Sequence, residues 1–336
     1  MELARRRLGG TGLEVTEYGF GGAPLGNFNK VVPEADAMAL LDGVWEAGFR
    51  FFDTAPYYGF GLSERRFGDY LRHKPRDSFV LSTKAGRLLA PDPSWFPDRD
   101  KFLGALPFQP VYDYSYDAIM RSFEDSLQRL GMDRIDVLLM HDIGRVTHGE
   151  RHAELFRTAM DGGAKAMDRL RSSGAVSAIG LGVNEWEVCM EAMDHMRWDC
   201  FLLAGRYTLL EQEALETFLP RCLRENASII VGGAFNSGIL ATGPVPGALY
   251  NYEPAPQPIL DKVSRIQAVC ERHGVPMPAA ALRFPLNHPA VATVIPGMAG
   301  PAELAANLNL LATDVPKAFW TDLKSEGLMR VDAPTP

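Results

Sequence analysis

The 336-residue sequence lacks most of the features that mark secreted, membrane or nucleic-acid-binding proteins. Its four cysteines lie far apart without a C-x-x-C pair, which argues against a disulfide framework and a zinc site. No apolar run approaches the ~20 residues of a membrane-spanning helix, and the N-terminus shows no apolar signal segment. With 34 basic against 42 acidic residues, the net charge of -8 offers nucleic acid no basic surface. We therefore expect a cytoplasmic protein that binds small molecules and neither nucleic acid nor membranes.

A glycine-rich dinucleotide motif is also missing. A doubly wound sheet would carry G-x-G-x-x-G after its first strand, but in GFGGAPLG the third glycine position is taken by Pro24. The sequence instead alternates short apolar runs with amphipathic segments about eight times. This alternation predicts a single (β/α)8 TIM barrel domain over residues 1–336, with an N-terminal β-hairpin at residues 7–15 and long loops at the C-terminal face.

The same pattern predicts the bounds of individual elements. We expect strands at residues 79–84, 136–142, 178–184 and 228–233, and helices at 33–47, 116–130 and 153–172. Ser63 is the expected N-cap of a further helix over residues 63–71. The segments 85–115 and 234–258 contain Pro with aromatic residues or Gly, and we expect both to be irregular loops.

Three of the expected strands end on polar residues that a packed core would not favour. Asp53 ends the apolar run of GFRFFDTAPYYG, with Tyr58 five residues later. Lys84 follows FVLST and His141 follows VLLM. Each has an ordinary alternative explanation, such as a capping Asp, a Lys that reaches solvent or a hydrogen-bonded structural His. In a barrel, however, the carboxyl ends of the strands meet at one face, so we expect these side chains to lie together.

These residue types suit proton transfer beside a carbonyl or carbinol. A tyrosine hydroxyl, with a reference pKa of about 10, is a poor base at neutral pH, and a nearby lysine ammonium lowers that pKa. Asp53 can hold Lys84 charged and in place. His141 can bind the substrate oxygen or share in the proton transfer. No side chain delivers hydride, so a nicotinamide or a flavin must supply it.

The chain resembles an aldo-keto reductase along nearly its whole length. The resemblance lies in GFRFFDTAPYYG, in the lysine and histidine strand ends, in IGLGVNE and in the late IPG…PAEL…N. It implies a catalytic tetrad in which Tyr58 is the acid/base and Lys84 tunes its pKa. Asp53 then holds Lys84, and His141 orients the substrate.

The resemblance also implies contacts with a nicotinamide cofactor. Asn184 would bond the carboxamide, backbone N–H groups of residues 234–238 would meet the pyrophosphate, and Asn307 would lie at the adenine. The implied cofactor-binding residues are Gly22, Asn184, Phe235, Ser237, Gly297, Met298 and Asn307. Two positions depart from the family pattern. Ala204 replaces a carboxamide-binding Gln, and Gly232 or Gly233 replaces an aromatic residue that stacks on nicotinamide.

We expect NAD to be preferred over NADP. Family members that use NADP place a Lys or Arg near the 2′-phosphate, whereas the corresponding segment GMAGPAEL has no basic residue and contains Glu303. A 2′-phosphate would meet no cation in this segment, while a free 2′-hydroxyl would be tolerated. The alternative is that a cation from elsewhere, such as Arg283, serves NADP.

The substrate class follows from a narrower resemblance. LGGTGLEVTEYGFGGAPLGN and GLGVNE are similar to the branch that includes sugar 1-dehydrogenases for L-fucose and related aldoses such as D-arabinose, and pyridoxal 4-dehydrogenase. Both imply oxidation of a cyclic hemiacetal to a lactone. Aromatic side chains suit a sugar or pyridoxal ring, although they could instead pack the long loop down. The expected substrate-binding residues are Tyr57, Trp95, Phe96 and Trp186, with Phe102 beside them.

Other functions remain open from the sequence. One is a pyridoxal 4-dehydrogenase that forms 4-pyridoxolactone, and another is an NADPH-dependent aldehyde reductase. A third, non-enzymatic, is a regulatory subunit that binds the cofactor. His148 and His152 have a spacing that can bind metal on a helix, but the order is not H-E-x-x-H. We expect a solvated loop there and no metal.

Overall fold

The structure is a computed structural model that describes residues 3–94 and 96–336. In chain order its strands are β1 (Arg5–Arg7), β2 (Glu14–Thr16), β3 (Phe20–Gly21), β4 (Phe51–Asp53), β5 (Val80–Ala85), β6 (Arg87–Pro91), β7 (Phe108–Tyr112), β8 (Val137–His141), β9 (Ala178–Val183), β10 (Cys200–Ala204), β11 (Ser228–Gly232), β12 (Leu249–Tyr250), β13 (Glu253–Pro254) and β14 (Val291–Val294).

The α-helices follow the strands in alternation. They are α1 (Glu34–Glu46), α2 (Leu62–Leu71), α3 (Tyr116–Leu130), α4 (Arg145–His148), α5 (His152–Thr158), α6 (Ala164–Ser172), α7 (Glu187–Met193), α8 (Phe218–Glu225), α9 (Ile239–Thr242), α10 (Gln257–His273), α11 (Met277–Arg283), α12 (Pro301–Ala312) and α13 (Lys317–Ser325). Across the described ranges, none of these helices combines the length and apolar character needed to span a membrane.

Eight parallel strands of the described chain form one sheet in the order β3-β4-β5-β8-β9-β10-β11-β14. The two edges of the sheet meet, because Tyr18 and Gly21 form parallel bridges with Val294 and Gly297. The Gly19 N–H donates to Val294 O over 2.9 Å at this seam. The sheet therefore closes on itself, which confirms the (β/α)8 barrel.

The predicted N-terminal hairpin is also confirmed. Strands β1 and β2 pair antiparallel, and the Gly9 N–H donates to Ser228 Oγ over 2.7 Å at the start of β11. The hairpin thus covers the amino-terminal end of the barrel. Its apolar side chains join the lower barrel interior, a cluster made of Leu8, Val15, Phe51, Val80, Val137, Leu139, Ala178, Cys200, Leu202, Ile230, Ala292 and Ile295. Because this cluster fills the lower interior, a ligand can enter only from the opposite, carboxyl-terminal face.

Several element predictions need correction. Segment 85–115 contains the hairpin β6–β7, and segment 234–258 contains α9 and the hairpin β12–β13. The expected helix over 153–172 is interrupted by a π-helical stretch, Ala159–Gly163. There Gly163 lies so close to Tyr114 that a Cβ would be 2.6 Å from the Tyr114 carbonyl oxygen.

The helix after β4 begins one residue earlier than expected. Gly61, with a φ of 102°, is the N-cap of α2, and Ser63 lies inside the helix. The Ser63 hydroxyl donates to Gly22 O over 2.8 Å instead of capping the helix. Ser63 therefore ties α2 to the chain that follows β3.

Candidate active site

The candidate active site is one level of the barrel interior. Side chains alternate along each strand between the interior and the surrounding helices. Phe51 lies in the lower interior, so Asp53, two residues later, also points inward. By the same alternation Lys84 and His141 are the last inward residues of β5 and β8. The period of the strands therefore brings together the polar strand ends that the sequence singled out.

Asp53 and Lys84 form a buried ion pair, with side-chain exposures of 2% and 1%. Lys84 Nζ donates to Asp53 Oδ2 over 2.7 Å and to Thr54 O over 2.9 Å. Ser82 Oγ donates to Asp53 Oδ1 over 2.9 Å. Gly182 makes room for the lysine, because a Cβ there would lie 3.1 Å from Lys84 Cε. A buried charge is costly unless it is paired, and here both charges are paired and hydrogen-bonded.

Tyr58 lies against this pair, with Lys84 Nζ 4.6 Å from the centre of its ring. Burial raises the pKa of Tyr58, while the charge and hydrogen bonding of Lys84 lower it. The net direction is upward. Lys84 therefore acts in the expected sense, but burial outweighs it and Tyr58 holds its proton at neutral pH.

His141 is neutral in this site. Burial, together with the charges of Arg87 and Lys84, holds the pKa of His141 well below its usual value. Its Nε2 lies 3.6 Å from Asp142 Oδ2. Tyr114 fixes the backbone by donating its hydroxyl to His141 O over 2.8 Å. A carboxylate beside Nε2 favours a proton on that nitrogen, so the imidazole can donate to a ligand oxygen.

Above this level lies a cavity of about 440 Å³. It is lined by three of the four candidate catalytic residues, Tyr58, Lys84 and His141, and by Ala23, Phe28, Tyr57, Arg87, Asp100, Lys101, Phe102, Tyr112, Asp142, Thr147, Gly182, Val183, Asn184, Leu202, Ala204 and Tyr252. Asp53 is covered by Lys84 and does not line the cavity. The arrangement offers a proton donor or acceptor and a hydrogen-bond donor to one bound oxygen.

The predicted substrate residues divide into two groups. Tyr57 and Phe102 line the cavity and contact each other edge to face, with ring centres 5.4 Å apart. Phe96 is 66% exposed and Trp186 packs against the core outside the barrel, so the structure places neither at the cavity. Trp95 lies outside the described residues.

Sequence reasoning missed several lining residues. Arg87 and Asp142 form a buried ion pair, and Tyr112 and Tyr252 add aromatic surface. A signal for the ion pair was available, since Arg87 follows Lys84 by three residues and Asp142 directly follows His141. Tyr252 gave no such signal, because it reaches the cavity from a hairpin far along the chain.

The residues expected to bind a cofactor lie mostly around the cavity rather than in it. Asn184 lines the cavity, and its Nδ2 is 3.4 Å from Asp142 Oδ1. Gly22 follows β3, and its N–H donates to Asp53 O over 2.7 Å. Gly297 and Met298 follow β14, and Asn307 is buried on α12.

The loop after β11 fits an anionic group. Asn236 and Ser237 have φ values of 46° and 60°, a left-handed conformation that turns backbone N–H groups to one side. Among the described residues, the N–H groups of Phe235 and Ser237 have no hydrogen-bond acceptor. Together with the Asn184 amide, these donors match the carboxamide and pyrophosphate of a nicotinamide cofactor.

Glu303 is held at the start of α12. Its Oε2 accepts from the Ala299 N–H over 2.8 Å, and its Oε1 lies 3.9 Å from Lys30 Nζ. Lys30 is a neighbouring cation that sequence reasoning missed. Arg283 is elsewhere, because it lines a separate cavity with Tyr18 near the amino-terminal end of the barrel. Arg283 therefore does not supply the cation suggested for NADP.

The expectation that His148 and His152 lie in a solvated loop is wrong. His152 is buried, with Nδ1 3.2 Å from Ile143 O, and His148 Nε2 is 2.9 Å from the Tyr114 hydroxyl. Both histidines belong to the packing behind His141. Over the ranges that the structure covers, no group of three or more His, Cys, Asp or Glu residues is placed to hold a metal ion.

Residues 17–326 match the Aldo/keto reductase family. The chain belongs to this family and is an oxidoreductase of the kind that uses a nicotinamide cofactor.

Two relatives match over nearly the whole chain. The protein is 44% identical over 336 residues to "Pyridoxal 4-dehydrogenase" of Microbacterium luteolum, covering 97% of this chain and 98% of the relative. It is 39% identical over 330 residues to "D-threo-aldose 1-dehydrogenase" of a Pseudomonas species, covering 97% of both chains.

A solved structure agrees in fold. An aldo-keto reductase from Bacillus halodurans, in its holo form, matches with a TM-score of 0.75 at 24% identity. The match covers 99% of this chain and 98% of that one. At this identity the similarity supports the barrel fold alone.

Proposed function

We propose that the protein uses NAD to oxidise a cyclic hemiacetal, an aldose such as L-fucose or D-arabinose, at C1 to the lactone. The observation that carries this proposal is the Asp53–Lys84 ion pair beneath Tyr58, with neutral His141 across the same cavity. That arrangement serves proton transfer at one oxygen, which is what oxidation of a carbinol requires.

In this mechanism the phenolate form of Tyr58, which is scarce at neutral pH, removes the proton of the anomeric hydroxyl. Lys84 stabilises the phenolate and the developing charge on oxygen, and Asp53 keeps Lys84 protonated by raising its pKa. His141 Nε2 donates a hydrogen bond to the same oxygen and orients it. A nicotinamide held by Asn184 would supply the acceptor for the hydride that leaves C1.

The cofactor proposed is NAD, held at the carboxamide by Asn184 and at the pyrophosphate by the N–H groups of Phe235 and Ser237. The Glu303 carboxylate already occupies the backbone N–H of Ala299 at the start of α12. A 2′-phosphate at this position would meet that negative charge, which exposed Lys30 balances in part. A ribose 2′-hydroxyl has no such conflict.

Pyridoxal is the second substrate candidate. The relative with 44% identity carries that activity in its name. Aromatic rings line the cavity on several sides, which suits a flat heterocycle as well as a sugar. Both candidates are cyclic hemiacetals, so the same roles of Tyr58, Lys84 and His141 serve either one.

The test is the absorbance of reduced nicotinamide with L-fucose, D-arabinose, L-galactose and pyridoxal, each with NAD and with NADP. We expect rapid NAD reduction with one of them. If none of the four compounds leads to reduced nicotinamide, while simple aldehydes oxidise NADPH, the proposal is contradicted. Absence of turnover in either direction would favour a cofactor-binding regulatory role.

A variant tests the assigned base. Tyr58→Phe is expected to abolish turnover while leaving NAD binding intact, because only the reacting hydroxyl is removed. NAD binding is measured by quenching of intrinsic fluorescence. Turnover close to that of the unmodified protein would show that another group is the base.

A further inference from the structure

We propose that the Arg87–Asp142 ion pair recognises a second hydroxyl of the substrate, one that lies close to the oxygen on the oxidised carbon. The inference rests on the proposed function and adds a specificity element to it. The pair would make the enzyme selective for substrates with two oxygens close together, against simple alcohols and aldehydes.

Both members of the pair are buried and both line the cavity. Their side-chain exposures are 4% for Arg87 and 10% for Asp142, and Arg87 Nη2 donates to Asp142 Oδ2. A charge pair of this kind costs desolvation that apolar side chains of similar size would avoid. Its position at the wall of the cavity gives it a binding surface that a purely structural pair would not have.

The pair lies directly beside the oxygen-binding end of His141. Asp142 Oδ2 is 3.6 Å from His141 Nε2. A ligand oxygen held by Nε2 therefore has a carboxylate next to it, which can accept a hydrogen bond from a second hydroxyl of the same ligand. In an aldose this is the hydroxyl at C2, on the carbon next to the oxidised one. In pyridoxal it is the phenolic hydroxyl at C3, one carbon further from the oxidised carbon.

The two side chains are held in place from several sides. The Arg87 guanidinium lies over the Tyr57 ring at 4.2 Å and over the Tyr112 ring at 5.1 Å. Asp142 has a φ of 47°, which is uncommon for a residue other than glycine, and its N–H donates to Gly182 O over 2.9 Å. A conformation of this kind persists where the surroundings impose it, and here it turns the carboxylate into the cavity.

The chemistry of the pair matches a hydroxyl group. A hydroxyl donates one hydrogen bond and accepts others, so it can donate to the Asp142 carboxylate and accept from the Arg87 guanidinium. Asp142 Oδ1 has spare acceptor capacity, because its contact with Asn184 Nδ2 is long, at 3.4 Å. Hydrogen bonds to charged groups are stronger than neutral ones, so this hydroxyl contributes strongly to discrimination.

The test compares D-arabinose with 2-deoxy-D-ribose, which is the same pentose without the C2 hydroxyl, and pyridoxal with its 3-O-methyl ether. We expect the protein to prefer the hydroxylated member of the productive pair by about 10- to 100-fold in kcat/KM. In Asp142→Asn and Arg87→Lys this preference should fall towards one. Arg76→Lys, in an ion pair with Asp136 outside the cavity, is the matched control and should keep the preference.

The outcomes separate this inference from the proposed function. Turnover of a parent substrate with an equal kcat/KM for its deoxy or methylated partner would overturn the inference and leave the function standing. Equal losses on both members in the variants would show that the pair only positions His141 and Asn184. No turnover of either parent would overturn both. Circular dichroism shows whether Asp142→Asn or Arg87→Lys fails to fold. In that case the substrate preference of the variant that does fold tests the inference.

Discussion

The ion pair of Asp53 and Lys84 provides a quantitative test of how the site is held together. Asp53→Asn keeps the shape of the side chain but leaves the Lys84 ammonium, whose side chain is 1% exposed, without a counter-charge. Removing one partner of a buried ion pair costs about 3–5 kcal/mol of the free energy of unfolding. We expect Lys84→Met to cost a similar amount, because Asp53 is then the unpaired charge.

The double variant Asp53→Asn/Lys84→Met removes both charges together. Replacing a buried ion pair by neutral groups is often neutral for stability, so we expect the double variant to lie within about 2 kcal/mol of the unmodified protein. The two single costs would add to about 6–10 kcal/mol if they were independent. The difference is the coupling energy of the pair.

The measurement is urea-induced unfolding followed by circular dichroism and tryptophan fluorescence. Asp77→Asn is the control, since it breaks the exposed ion pair with Arg134 and is expected to change stability little. Additive losses in the double variant would refute the reasoning. They would mean that Asp53 and Lys84 do not compensate each other's buried charge.

Two further predictions concern catalysis. Because burial raises the pKa of Tyr58, the phenolate is scarce at neutral pH. We therefore expect kcat/KM for oxidation to rise about tenfold per pH unit on the alkaline side. A flat profile from pH 7 to 9 would contradict Tyr58 as the base. Glu303→Gln should shift the kcat/KM ratio towards NADP by about two- to fivefold and Lys30→Gln should shift it towards NAD, as expected for exposed charges. Unchanged ratios in both variants would place the 2′ position elsewhere.

The barrel and the polar strand ends were predictable from sequence because both depend on local periodicity. A period of two along a strand fixes which side chains point inward, and parallel strands bring their carboxyl ends to one face. Those two rules suffice to bring Asp53, Lys84 and His141 together. They do not require the conformation of any loop.

The cavity wall was less predictable because it depends on loop conformation. Arg87 lines the cavity directly after Gly86, whose φ of 97° is a backbone conformation that L side chains rarely adopt. Tyr252 comes from the hairpin β12–β13, and its carbonyl oxygen accepts from Lys101 Nζ over 2.5 Å. Phe96 belongs to the same long segment as Lys101 yet faces solvent. The amino-acid composition of these long segments does not distinguish the residues that line the cavity from those that face solvent.

The direction of the Tyr58 pKa shift also required the structure. Sequence reasoning identified the lysine that lowers this pKa, but the burial that raises it depends on how the loops close over the site. The same burial lowers the effective dielectric constant around the cavity, so each charge there acts more strongly on neighbouring groups. Loop conformation therefore decides the direction of this pKa shift, which sequence periodicity does not reveal.

The residues proposed to carry out the reaction and those proposed to select the substrate lie at different positions along the chain. Asp53, Lys84 and His141 are strand residues whose positions follow from the barrel itself. Arg87 and Asp142 stand just beyond the ends of β5 and β8, where the backbone at Gly86 and Asp142 has a positive φ. Substitutions at these two positions can therefore change which substrate hydroxyl is bound without moving the Asp53–Lys84 pair. Under the proposed function, the same strand-end residues would serve either a sugar or a pyridoxal ring, and the residues beyond the strand ends would choose between them.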